Sequence, residues 1–242
     1  MVAQIAQVAS QGTQVVLVSS GAIAAGMGSL GLKHRPTRLP QLQAAASIGQ
    51  GQLMRLYDEL FSARGLLVGQ VLLTREDLAD RRRYLNARHT LLALLTAKAV
   101  PIVNENDTVA VDEIRFGDND QLSALVAGLV HADALIILSD VDGLLRDGRA
   151  IPVVQTITPE LERLARGTAR ATSTGGMTTK LLAARMATAS GVPMVIANGH
   201  QSNVITRLAQ GESLGTLFLP SAKPLGSKQR WLAFAAPRAA GK

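Results

Sequence analysis

Cysteine is absent from the 242 residues, and aromatic side chains make up only 3% of them. Without cysteine there are no disulfides, no thiolate metal sites and no cysteine nucleophile. The absence also suits a reducing cytoplasm. So few aromatics argue against a stacking platform for nucleic acid. The four histidines, His34, His89, His131 and His200, show no ligand spacing, so zinc is not expected. No charged residue precedes Lys33, yet the N-terminus does not read as a signal peptide. It lacks a basic first region, and Gln4, Gln7, Gln11 and Gln14 interrupt any hydrophobic stretch. No apolar run approaches the ~20 residues that span a bilayer. The class expected is a soluble cytoplasmic protein with no membrane partner.

What is present is a globular composition, 47% hydrophobic and 18% charged. At about 150 residues per domain, the length gives one large domain or two small ones. The net charge of +7 hints at an anionic partner. However, Lys223, Lys228, Arg230, Arg238 and Lys242 lie in a C-terminal stretch, 221–242, that holds no acid. That stretch supplies most of the excess charge, so a nucleic-acid surface is not expected.

Helical and strand patterns alternate along the chain. Ile5, Val8 and Ala9 recur at helical spacing, which predicts a helix over 1–11 closed by Gly12. Apolar runs predict strands over 15–18, 66–73, 100–103, 135–138 and 193–197. Helices are predicted over 40–64, opened by Pro40 and ended by Gly65, and over 81–97 and 177–190. Leu122, Leu125, Val126 and Leu129 mark a further helix that begins near Asp118. A last strand and a tail are expected after Pro220. Strands without in–out alternation, separated by helices, predict a parallel sheet covered on both faces. Ligands of such sheets bind beyond the carboxyl ends of the strands.

The loops there carry the chemistry. Ser19-Ser20-Gly21-Ala22 follows the first strand and enters a helix, where backbone N–H groups can meet an anion or Ser can simply cap. Asn104-Glu105-Asn106-Asp107 follows the strand at 100–103, and Gly117-Asp118-Asn119-Asp120 opens a helix shortly after. Such turns suit an ammonium group, nearby lysines or magnesium. Ser139-Asp140-Val141-Asp142-Gly143 follows the strand at 135–138. Thr174-Gly175-Gly176-Met177-Thr178-Thr179-Lys180 leads glycines into a helix start with hydroxyls and a lysine. That is a phosphate cradle or a flexible loop, and it lacks the Walker A spacing.

Taken in order, these segments resemble the glutamate kinases of the amino acid kinase family. The resemblance rests on Val18 to Gly26, on Leu85-Asn86-Ala87-Arg88 with Thr90, and on Asn104 to Asp107. It rests further on Phe116 to Ala124 and on Gly175 to Lys180. It runs from the first helix to about Pro237. It implies an α/β fold, a three-layer αβα sandwich with a mainly parallel central sheet. It implies ATP-dependent phosphorylation of the γ-carboxylate of L-glutamate, with Mg²⁺, as a step toward proline. Ser20, Gly21, Ala22, Asp107, Asp118 and Asn119 would hold glutamate. Ser139, Asp140 and the stretch Thr174, Gly175, Gly176, Met177, Thr178, Thr179 and Lys180 would lie by the nucleotide. Lys180 would stabilise the transferring phosphoryl group, and Asp120 would orient catalytic lysines. Proline as feedback inhibitor and a homo-oligomer are further expectations, and no metal ligand is assigned.

The chemistry agrees with these residue types, because a carboxylate acceptor is already ionised at pH 7 and needs no general base. The family begins with a strand and a Lys-Gly-Ser turn, and here the chain is read as starting in the following helix. Residues 1–237 are therefore expected to be a kinase domain lacking its first strand. Residues 238–242 are expected to be a basic tail, and the chain is read as stopping before the RNA-binding-like PUA domain that the family often carries. The family's usual Thr is replaced by Ser139, which keeps the hydroxyl. The short segment Leu145-Arg146-Asp147-Gly148 leaves open how adenine is held. The alternatives are a non-catalytic kinase fragment that binds glutamate or nucleotide, an acetylglutamate kinase or a uridylate kinase. Acidic substrate turns favour an amino acid over a second phosphate.

Overall fold

The computed structural model describes residues 1–109, 119–167 and 176–235. The chain folds as two compact units, Met1–Asn119 and Asp120–Lys242. Both are α/β and mainly parallel.

In the first unit, helix α1 (Val2–Ser10) buries Val2, Ile5 and Val8, and Gly12 follows it in the left-handed region at φ +93°. Strand β1 (Leu17–Val18) is followed by α2 (Ala22–Ser29) and the long α3 (Leu39–Ser62). Pro40 occupies the first turn of α3, where its missing N–H is harmless. Then come β2 (Val68–Leu73), the short α4 (Arg75–Ala79), α5 (Arg81–Thr96) and β3 (Val100–Glu105). The sheet order is β1-β3-β2, parallel throughout. Its central strand β3 is buried from Val100 to Asn104, as a strand covered on both faces must be.

Helices α2 and α3 pack with their backbones in contact. A Cβ on Gly26 would stand 1.8 Å from the Ala45 carbonyl oxygen, and one on Gly49 would stand 1.8 Å from that of Ala22. The crossing requires glycine on both sides. It matters because α3 carries Gln50 and Tyr57 while α2 follows directly from the turn at Ser20 and Gly21.

The second unit opens with α6 (Asn119–Val130), whose first residue is the last of the first unit. After it come β4 (Leu135–Ser139), β5 (Leu145–Arg146), β6 (Arg149–Ala150), β7 (Val153–Val154) and α7 (Pro159–Gly167). Next are α8 (Met177–Ala189), β8 (Met194–Asn198), α9 (Val204–Ala209), β9 (Thr216–Phe218) and α10 (Ser227–Arg230), then a π-helical turn. The sheet order is β4-β8-β9-β7, and only the β8–β9 pair in it is antiparallel. Ala183, Ala184, Ala187, Met194, Ile196 and Phe218 form the centre of its core.

The predicted helices and strands recur with ends shifted by a few residues. The last strand does not. It lies before Pro220, as β9, and a short helix, α10, stands where the strand was expected. The sequence there is too rich in Pro and Lys to pair in a ladder, whereas Thr216 to Phe218 supplies a β-branched and aromatic run. The segment 145–150 is a tight antiparallel hairpin, β5–β6. Asp147 and Gly148 turn it at φ +50° and +77°, the primed turn that hairpin twist favours.

Two predictions follow from the first unit. Replacing Gly49 with Ala forces α2 and α3 apart, and urea denaturation should show a loss of about 2–3 kcal/mol, the usual scale of overpacking. At α4, Thr74 and Asp77 form a capping box, and Arg83 lies 3.0 Å from Asp77. Burial pushes the Asp77 carboxyl up, but the backbone and side-chain donors of Thr74 and the Arg83 guanidinium outweigh it. The carboxyl is therefore held below its ordinary range. A depressed carboxylate stabilises the fold at pH values above its unfolded pKa, and that contribution is lost as pH falls through the folded value. Asp77→Asn should thus cost about 1 kcal/mol near pH 7, the worth of a cap. Its deficit should shrink once pH falls below the ordinary carboxylate range.

Candidate functional site

In the first unit the site grows from the end of β1. The N–H of Ser19 continues the parallel ladder by donating to the Val103 carbonyl at 2.8 Å. Its side chain is buried, and its Oγ lies 2.8 Å from the Tyr57 hydroxyl on α3. The next residues are released to the surface. Ser20 and Gly21 are exposed, and Gly21 holds φ +93° with no described atom within 4 Å of a Cβ placed there. Ala22, the first residue of α2, is buried. A strand end, a left-handed glycine and an uncrowded helix start together form a turn that a ligand can approach closely.

Asn104 sits at the end of β3 and is buried. Its Oδ1 accepts from the Glu105 N–H at 2.9 Å and from Asn119 Nδ2 at 3.2 Å. Its Nδ2 donates to Gln50 Oε1 at 3.0 Å. Asn119 Nδ2 also donates to the Ser19 carbonyl. The structure therefore brings Asn119 onto the β1 turn. Asp107 lies half-buried in the turn that follows β3. Asp118 falls outside the described residues. Asn104, Gln50 and Tyr57 were not among the candidate side chains, although Asn104 opens one of the motifs.

In the second unit the charged centre is an ion pair. Lys180 Nζ stands 3.0 Å from Asp120 Oδ2, and their side chains are only 11% and 14% exposed. Thr179 Oγ1 donates to the same Asp120 oxygen at 3.3 Å and to the Gly176 carbonyl at 2.7 Å. Ser123 Oγ donates to the Asp120 carbonyl at 2.6 Å. Gly176 is the extended N-cap of α8, with no side-chain cap, and a Cβ on it would meet no described atom within 4 Å. The first N–H groups of α8, at Met177 and Thr178, have no partner within the helix, the arrangement that suits an anion. Thr174 and Gly175 lie outside the described residues.

Ser139 ends β4, and its Oγ donates to Oδ1 of the next residue, Asp140, at 3.2 Å, with the Ser139 carbonyl accepting from the Gly199 N–H at 2.8 Å. Beyond them Asp142 accepts from Asn198 Nδ2 at 2.9 Å and ties this loop to the end of β8. Among the described residues no group of three or more His, Cys, Asp or Glu side chains is placed to hold a metal ion. No described helix is long and apolar enough to cross a membrane.

These two polar centres sit on a fold with a sequence to match. The profile of the amino acid kinase family matches residues 1–198, which run through both units. The chain belongs to that family. It is similar to the glutamate 5-kinase of Moorella thermoacetica, at 57% identity over 97% of this chain and 64% of that protein. It is similar to the glutamate 5-kinase of Dehalococcoides mccartyi, at 54% over 95% of this chain and 64% of that protein. The glutamate 5-kinase of Caldanaerobacter subterraneus is 51% identical over 97% of this chain and 65% of that protein. The chain thus spans just under two thirds of the length of the curated relatives it matches.

The Lys180–Asp120 pair gives a direct test of its burial. Removing one partner of a buried pair leaves an uncompensated charge and typically costs 3–5 kcal/mol. Because Thr179 still donates to Asp120, Lys180→Met should fall near the lower end, about 3 kcal/mol. Adding Asp120→Asn should restore part of the loss, which urea denaturation of both single variants and the double variant would show.

Proposed function

We propose that the chain carries the catalytic fold of an ATP-dependent kinase that phosphorylates the γ-carboxylate of L-glutamate, forming L-glutamyl 5-phosphate at the first step of proline biosynthesis. The observation that carries this reading is the buried Lys180–Asp120 pair beside the open start of α8. The high identity to glutamate 5-kinases along almost the whole chain supports it.

In this reading Ser20, Gly21, Ala22, Asp107, Asp118 and Asn119 hold the amino acid. Ser139, Asp140 and the stretch Thr174 to Lys180 hold the nucleotide. The acceptor is a carboxylate, ionised at pH 7, so no side chain has to take a proton from it. The chain's work is positioning and neutralisation of charge on the phosphoryl oxygens. Lys180 supplies positive charge there, and Asp120 with Thr179 fixes its ammonium. The open N–H groups at the start of α8 fit a phosphate oxygen. Mg²⁺, brought by the nucleotide, would add positive charge beside the phosphates. The same reading carries proline as a feedback inhibitor, a homo-oligomer and a cytoplasmic location.

The test is ADP release with ATP, Mg²⁺ and, in turn, L-glutamate, N-acetyl-L-glutamate, L-aspartate and UMP. Hydroxylamine would trap the acyl phosphate. It is run on this chain and on a form extended to the length of its relatives. Glutamate-dependent ADP release with a matching hydroxamate is expected. Lys180→Met should lower kcat about 100-fold or more, as loss of one charge-stabilising group does. Absence of glutamate-dependent turnover in both forms would overturn the reading, and preference for N-acetylglutamate or UMP would move it to another member of the family.

A further inference from the structure

Helices α6 and α8 carry the charged pair of the second unit on their first turns, Asp120 on one and Lys180 on the other. Their opposite ends meet as well. A Cβ on Gly128, in the last turn of α6, would stand 3.2 Å from Oγ of Ser190, the residue that caps α8. The last carbonyls of a helix have no partner inside it and need donors from elsewhere. At α8 the segment 221–230 supplies them one after another. The Ser221 N–H donates to the Thr188 carbonyl and the Leu225 N–H to the Ala189 carbonyl, each at 2.9 Å. Arg230 Nη1 donates to the Ser190 carbonyl at 3.2 Å. Arg230 also reaches the other helix. Its Nη2 lies 3.2 Å from the ring nitrogens of His131, which follows α6 in the left-handed region at φ +56°. A guanidinium only donates, so the imidazole nitrogen that it bonds is the acceptor.

Arg230 is buried, and among the described residues no carboxylate pairs with it and its Nε has no hydrogen bond. Its lost hydration is offset by its place, since the partial negative charge at the C-terminal ends of two helices favours a cation. The planar fork of arginine can hold two partners at a fixed separation, which a single ammonium on a flexible stem cannot. The fork therefore fixes the end of α6 against the end of α8. Each helix is about 18–20 Å long, so a change of about 3° in the angle between them, pivoting at these ends, moves their first turns by about 1 Å. A misplacement of about 1 Å is enough to slow a positioned reaction by up to about 100-fold. We infer that Arg230 is a positioning residue for Lys180: it clamps the C-terminal ends of α6 and α8 and so sets the spacing of Asp120 and Lys180 at the opposite ends. This rests on the proposed function for what Lys180 does. It goes beyond that proposal in giving the basic, proline-bearing segment 221–230 a part in the reaction.

The experiment measures glutamate-dependent ADP release on the parent chain and on Arg230→Met, Arg230→Lys and His131→Gly. The last removes the imidazole and keeps a residue at ease in the left-handed region. Arg230→Met should lower kcat about tenfold or more with the KM for glutamate little changed, because the lysine moves and the amino-acid contacts stay. Arg230→Lys and His131→Gly each keep one of the two bonds and should fall between Arg230→Met and the parent. In a Lys180→Met background, Arg230→Met should cost nothing further in kcat, since its effect runs through the lysine. A merely structural role would lower kcat by the same factor in both backgrounds. A second readout needs no turnover: the ε-methylene ¹H–¹³C signal of Lys180 in lysine-labelled chain, assigned by its loss in Lys180→Met. It should shift in Arg230→Met while the signals of Lys33 and Lys98 stay in place. If Arg230→Met fails to fold, His131→Gly decides by the same readouts. Equal losses in the two backgrounds, or an unmoved Lys180 signal, would overturn the inference and leave the kinase reading standing. A parent chain without glutamate-dependent turnover would overturn the kinase reading, and the Lys180 signal would then decide the clamp by itself.

Discussion

The first unit depends on a contact in which two helices touch backbone to backbone. At the α2–α3 crossing the nearest carbonyl oxygens leave no volume for a side chain on Gly26 or Gly49. The glycines are unfavourable inside helices, by about 1 kcal/mol each relative to Ala. What they allow is proximity. With α3 drawn against α2, Tyr57 reaches Ser19 and Gln50 reaches Asn104. The turn at Ser20 and Gly21 is then anchored from below by hydroxyl and amide groups rather than by apolar packing alone. Buried polar groups are tolerable only when satisfied, and here the anchoring bonds do that.

The second unit meets a different constraint. A lysine as buried as Lys180 is stable as a cation only with a carboxylate and further bonds to offset lost hydration. Asp120 receives Lys180 and Thr179 on one oxygen, while its own carbonyl receives Ser123. Such a pair adds little to net stability, since an apolar pair of equal volume often serves as well. In the proposed reading the pair has a use at the start of α8: a lysine held in place can neutralise developing charge without reorganising.

Much of this was legible in the chain, and the failures have physical causes. The strand–turn–helix order was visible because buried parallel strands are uninterrupted apolar runs, as at Leu135 to Leu138. Glycines Gly12, Gly21 and Gly65 marked ends because the left-handed backbone there requires them. The short strands β5 to β7 carry too few residues for a pattern, although Asp147-Gly148 is a hairpin signal in its own right. The region after Pro220 shows why composition misleads: a basic, proline-bearing segment reads as a last strand and a tail, yet Arg230 is buried against Ser190 and His131. Of the candidate site, Lys180, Asp120 and Asn119 stand in motifs that the sequence displays. Gln50 and Tyr57 were not, because each lies on α3 far along the chain from the loop it supports, and only the helix crossing brings it there.

Asn119 and Asp120 show how much one helix start can carry. They are consecutive, and successive side chains on an α-helix diverge by about 100°. Two adjacent polar residues can therefore join two different networks without competing for partners. Asn119 gives both amide hydrogens to the first unit, to Ser19 and Asn104. Asp120 gives a carboxylate oxygen to the second unit, to Lys180 and Thr179. Neither role can be exchanged. An acid at 119 would set a charge against the Ser19 carbonyl, and an amide at 120 would leave Lys180 without its counter-charge. The Asn-Asp order is thus dictated by the polarity of fixed neighbours, a backbone carbonyl on one side and an ammonium on the other.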